Sequence, residues 1–195
     1  MHLSKLITTL QALDEPAFKS LRDYVHSPFF KVPTGSVTLF DYLYPLYPEF
    51  SEKKVNPDSI GLVAKNLSTP AKQARAGSEL LEAVEDFLAV QQWQKNPRGQ
   101  TFNKLQALQQ LQLNQQFTKV YDAEMELLQN NSEQDANTFF YRHLLVELSF
   151  SSFNAKLFRS SQNDLSPLVQ SLDEFYAVKK MRYMCEALSR KQVFG

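Results

Sequence analysis

Leucine, phenylalanine and tyrosine recur three and four positions apart along nearly the whole chain, from Leu3 to Leu188. That spacing lines one face of successive α-helices. Leu3, Leu6, Ile7, Leu10 and Leu13 make the first face. Asp14 follows as an N-cap, with Glu15 and Pro16 in the first turn of a helix carrying Phe18, Leu21, Tyr24 and Val25. That helix stops near Ser27, because a residue before proline is pushed out of the α region. The two elements read as an αα-hairpin. Residues 29–35 read as a loop. Leu39, Phe40, Leu43 and Tyr44 resume the helical pattern until Pro45 and Pro48 end it. Asn56, Pro57 and Asp58 open a short helix with Ile60, Val63, Ala64 and Leu67, and the small residues of 68–76 read as a connection or a single turn.

The strongest pattern covers residues 78–94, with Leu80, Leu81, Val84, Phe87 and Leu88 as its buried face. Asn96, Pro97 and Gly99 form the clearest break. They predict an N-terminal helical subdomain over 1–97 and a C-terminal helical-hairpin subdomain over 98–195. Phe102, Leu105, Leu108 and Leu111 predict the next helix, and Phe117, Val120, Tyr121, Met125 and Leu128 another. Asn130, Asn131 and Ser132 precede a helix with Phe139, Phe140, Leu144, Val146, Phe150 and Phe153. A break at 163–167 leads into a last helix over about 167–190. The glutamine-rich stretch 91–116 keeps leucine periodicity and reads as a helix with a polar face. No window alternates with period two, so no sheet is expected. The expectation is an all-α fold of packed helical hairpins, and at finer grain a short α-solenoid resembling tetratricopeptide-type arrays. VEDFLAVQQW at 84–93 resembles LDEFYAVKKM at 172–181, although their separation exceeds the usual repeat period.

Composition narrows the function classes. The hydrophobic fraction of 43% supports a core, and 15 Phe and 8 Tyr make it aromatic. With 21 basic and 21 acidic residues the net charge is zero. A global electrostatic footprint for nucleic acid or anionic membrane is therefore missing, and only a local patch could serve such a partner. The single cysteine, Cys185, forbids an internal disulfide and suits a reducing compartment. The first residues, MHLSKLITTLQALD, are interrupted by Ser4, Thr8, Thr9 and Gln11 and lack the run of a signal peptide. No stretch approaches the roughly 20 apolar residues of a membrane span. A cytoplasmic protein without a membrane partner is expected.

Candidate chemistry is sparse. His2, His26 and His143 show no metal-ligand spacing. His143 and Glu147 are placed to pair along one helix. Glu79, Glu82 and Asp86 share a helix face, where the macrodipole accounts for them. Cys185 falls with Val178, Met181 and Leu188 on the apolar side of the last helix, where a thiol acts as a small hydrophobe. No catalytic, cofactor or metal residues are assigned, and the chain is read as a non-enzymatic interaction module or scaffold for an unidentified protein partner. Oligomeric state is left open. At about 100° per residue, Tyr176, Lys179, Lys180, Tyr183 and Arg190 share a face opposite that apolar side, flanked by Arg182 and Lys191. Basic residues among aromatics can hold an acidic protein segment or a nucleic-acid strand, which makes a nucleic-acid-associated or regulatory role the alternative. The ordinary reading of such a face is a solvated one whose tyrosines pack on the next helix.

FKSLRDYVHSPFF at 18–30, YPEF at 47–50, LLEAVEDFLAV, RSSQNDL and LDEFYAVKKMRYMCEAL together resemble an uncharacterised family of helical bacterial proteins. The likeness spans most of the chain and rests on packing and turn residues. The family's SPYFN motif here reads SPFF followed by Lys31. The resemblance implies helices and a bacterial source, with no activity to carry over. Family members continue in further helices, so it also implies that the chain is cut short at Gly195.

Overall fold

The computed structural model describes residues 3–51, 55–130, 135–157 and 164–194. Among them all regular structure is helical. The helices are α1 (Ser4–Gln11), α2 (Glu15–His26), α3 (Thr34–Leu43), α4 (Pro57–Val63), α5 (Pro70–Gln94), α6 (Pro97–Gln110), α7 (Asn114–Asn130), α8 (Ala136–Leu157) and α9 (Ser166–Phe194). Short 3-10 turns lie at Tyr44–Leu46 and Lys65–Leu67. No helix among the described residues is long and apolar enough to cross a membrane. The chain divides into two compact units, Met1–Lys95 and Asn96–Gly195.

Side-chain caps set several helix starts. The Asp14 carboxylate accepts from the Ala17 amide at 2.8 Å, and Asn56 accepts from Ser59 at 2.8 Å. Thr69 caps α5 through the Lys72 amide, with Pro70 in the first turn where its missing N–H costs nothing. Residues 70–76 are therefore helix rather than the connection expected from their small side chains. Ala71, Ala74 and Ala76 are strong helix formers, and the Thr69–Pro70 start lets them propagate. Residues 34 and 35 likewise begin α3 instead of ending a loop.

In the N-terminal unit α5 packs against α1, α2, α3 and α4. Leu6, Leu10, Phe18, Leu21, Leu39, Phe40, Leu43, Ile60, Leu80, Val84 and Phe87 form its core. Phe18 stacks on Tyr47 with ring centres 4.0 Å apart, and the Tyr47 hydroxyl donates to the Leu13 carbonyl at 2.7 Å. Buried Gln73 donates from Nε2 to the carbonyls of Pro57 and Leu67, both at 2.8 Å, fastening α4 and its following turn to α5. Gly77 lets α1 close on α5, since a Cβ there would overlap the Leu3 side chain. Leu88, expected on the buried face of α5, is exposed. Leu80, Val84 and Phe87 already fill the inward side, and Leu88 falls past its edge.

In the C-terminal unit α6 pairs with α7 and α8 with α9. Its core joins Leu105, Phe117, Leu128, Tyr141, Leu145 and Leu148. The turn after α6 is a Schellman motif. Leu113 N–H donates to Leu108 O and Gln112 N–H to Gln109 O, both at 2.9 Å, with Gln112 at φ 57°. Leu111, expected on the core face, caps this turn and is exposed. Arg98 ties α6 to α8, donating to the Thr138 hydroxyl at 3.2 Å and lying 5.8 Å over the Tyr141 ring. Burial, then the Glu124 carboxylate, raise the Tyr141 phenol above its ordinary pKa. The likeness between 84–93 and 172–181 does not extend to surroundings. Val84 and Phe87 are buried, whereas Leu172 is exposed and Phe175 half-buried.

Candidate functional site

The site is α9. Asp164 opens it by accepting from the Ser166 amide at 2.9 Å, and the Ser166 hydroxyl and amide lower that carboxyl's pKa. The N-terminal half then packs on α8. Phe175 meets Phe140 with ring centres 5.0 Å apart, Glu174 pairs with Arg142, and the Ser171 hydroxyl lies 2.9 Å from His143 Nδ1. These pairings run in opposite directions along the two helices. Continued to Ala136, the first residue of α8, the same register reaches about Lys179.

Beyond that point α9 has no such neighbour among the described residues. Every residue from 180 to 192 is exposed. At a rise of about 1.5 Å per residue this is roughly 20 Å of helix. The expected apolar side of the helix is accordingly not a buried one. Val178 is half-buried at the end of the α8 contact, but Met181 is 58% and Leu188 62% exposed, and the Cys185 thiol is free and exposed. The periodicity is real, but α8 runs out before it can cover these residues.

The outward face carries the residues singled out in the sequence. Tyr176 is 59% exposed and Tyr183 58%, so neither packs on a neighbouring helix. That corrects the ordinary reading. Lys179 lies with Nζ 5.3 Å above the Tyr183 ring, and Lys180 lies 5.4 Å above the Tyr176 ring. Each exposed cation–π contact is worth about 0.5–1 kcal/mol. Arg190 pairs with Glu186 one turn back. Phe175, Tyr176, Lys179, Lys180, Tyr183, Met184 and Ala187 line one shallow groove. Met184 and Ala187 were missed in the sequence reading. Their angular positions, about 80° and 20° from Tyr176, place them on this face.

The remaining candidates separate. His143 bonds across to Ser171 of α9 rather than along α8 to exposed Glu147. His26 Nε2 lies 2.8 Å from Asp41, and His2 falls outside the described residues. Glu79 receives Arg75 Nε at 2.7 Å and the Ser36 hydroxyl at 3.2 Å, and Arg75 holds its carboxyl below the ordinary pKa. Among the described residues no three His, Cys, Asp or Glu side chains come together as a metal site. The N-terminal unit also holds a cleft of about 600 Å³ between α1, α4 and α5, walled by Leu3, Ile7, Phe50 and Ile60. Three of its polar lining residues bond to backbone: the Thr8 hydroxyl donates to Ser4 O, Gln11 to Pro48 O, and Gln73 to the two carbonyls above. No family model, no curated protein and no solved structure matches the chain.

Proposed function

We propose that this protein is a helical interaction module that docks another protein through the outward face of α9. The observation that supports it is the exposure of both tyrosines, Tyr176 on the stretch of α9 whose inner face α8 covers and Tyr183 beyond the end of α8. Large aromatics left in water cost burial energy that a partner recovers, and tyrosine suits interfaces because its ring is apolar and its hydroxyl wet. Tyr176, Lys179, Lys180, Tyr183 and Arg190 form the docking face, and no reacting group is needed there. Paired helices such as α6–α7 and α8–α9 are the units from which helical arrays are stacked. The reading places the protein in the cytoplasm, where an exposed thiol such as Cys185 stays reduced.

Site-specific photo-crosslinking in the native cell tests this. A crosslinker at Tyr183 is expected to give discrete protein adducts, and one at exposed Gln116 of α7 none. Equal labelling at both positions, or adducts to nucleic acid alone, overturns the reading.

A further inference from the structure

We infer that the partner of this face is an acidic amphipathic helix, lying along α9 with carboxylates set against its cations. The inference rests on the docking role proposed above and names the chemistry of what docks.

The register comes first. Tyr176, Lys180, Tyr183, Ala187 and Arg190 are spaced four, three, four and three apart. This is the seam spacing by which one helix lies along another. The shallow groove along this face is lined by Tyr176, Lys180, Tyr183 and Ala187 of that register, with Met184 beside them. Ala187 gives close approach, and the tyrosines and the methionine supply apolar walls.

Charge then selects the occupant. Residues 179–191 hold five cations, Lys179, Lys180, Arg182, Arg190 and Lys191, against one carboxylate, Glu186. The helix dipole accounts for Lys191 in the last turn but does not reach Lys179 or Lys180 in mid-helix. Lys180 and Arg190 stand on the seam itself. A second copy placed face to face would bring cation against cation there, which disfavours self-pairing. Glu186 does not change the balance, because its pair with Arg190 is exposed on both sides and such pairs exchange at little cost. The lysines also disfavour base stacking on these tyrosines. Stacking of bases needs open ring faces, and here Lys179 and Lys180 already lie over the rings of Tyr183 and Tyr176. An incoming carboxylate meets those same ammonium groups without displacing them.

The test is binding of the full chain to designed helical peptides, read by fluorescence anisotropy. The acidic probe carries leucines at alternating spacings of four and three with glutamates on both flanks, and its counterpart carries lysines in their place. The acidic peptide is expected to bind and the basic one not, with affinity falling about tenfold or more between low and physiological salt. Replacing Lys179, Lys180 and Arg190 together with Gln is expected to weaken the acidic peptide at least about tenfold. Replacing them with Glu is expected to transfer binding to the lysine peptide, and unchanged circular dichroism verifies that both variants are folded. Equal binding of the two peptides, unaltered binding by the Gln variant, or tighter binding of an oligo-dT strand or anionic vesicles overturns the inference. The crosslinking experiment keeps the two proposals apart. Protein adducts at Tyr183 on a segment without acidic residues would defeat the acidic helix and leave the docking role standing, whereas absence of protein adducts would defeat the docking role itself.

Discussion

Phe87 and Glu82 share α5 but not its surroundings. Phe87 is buried, with its ring edge-on to Tyr24 at 5.5 Å, while Glu82 is exposed. Phe87→Ala is expected to cost about 3–5 kcal/mol, the sum of lost burial and a cavity among packed aromatics. Glu82→Ala is expected to change stability by less than about 0.5 kcal/mol. Urea unfolding of both variants decides the matter, and equal effects would mean that the faces of α5 are misassigned. At this scale the sequence was legible where a residue's environment followed from its own helix. Asp14 reads as a cap, and Asn56 as the opening of a helix, because short polar side chains before Pro16 and Pro57 have few other roles. His143 was misread because its partner, Ser171, lies 28 positions away, beyond the reach of local spacing.

Helix boundaries and helix faces were legible to different degrees. The start of α8 shows what a cap contributes. Asp135 accepts from the Thr138 amide at 2.8 Å and from its hydroxyl at 2.7 Å. The Thr138 hydroxyl first, then the Thr138 amide, lower its carboxyl pKa, with help from Arg98. A carboxylate depressed in the fold stabilises it above the unfolded value and loses that contribution as pH falls through the folded value. The thermal midpoint of the C-terminal unit is therefore expected to fall as pH drops below about 4. Asp135→Asn, which keeps an acceptor but cannot titrate, should start lower at neutral pH and show a shallower acid limb. Circular dichroism melts from neutral to strongly acidic pH measure both, and identical acid limbs would refute the assignment. By contrast, the small residues of 68–76 suggest a connection, whereas α5 starts at Pro70, because the Thr69 cap supplies a helix start that the alanines propagate. The faces of α9 were misjudged for another reason. Periodicity identifies a helix's apolar side but does not say how long the neighbouring helix is.

For the whole molecule, the exposed end of α9 should be dispensable to the fold. Both cores lie outside residues 180–192. Ending the chain after Lys179 is expected to shift the thermal midpoint by no more than about 2–3 °C, because little buried surface is lost. The same truncation should abolish binding of the acidic peptide. Loss of cooperative unfolding would show that this segment supports a core after all. The formal charge of zero conceals the relevant pattern, since the cations of residues 179–191 are offset by carboxylates elsewhere in the chain.

The sequence by itself determined the all-helical class and several helix starts. Three-four spacing, capping side chains and prolines act over one or two turns, and their physics is local. It also placed Tyr176, Lys179, Lys180, Tyr183 and Arg190 on one side of one helix, since a regular helix turns by a fixed angle. Tertiary structure alone decided whether that side is covered. Burial depends on which helix lies opposite and where it ends. The pairing of Phe140 with Phe175 and of His143 with Ser171 turns Tyr176 away from α8 and sets the register in which α8 stops near Lys179, leaving Met181 and Leu188 in water as well.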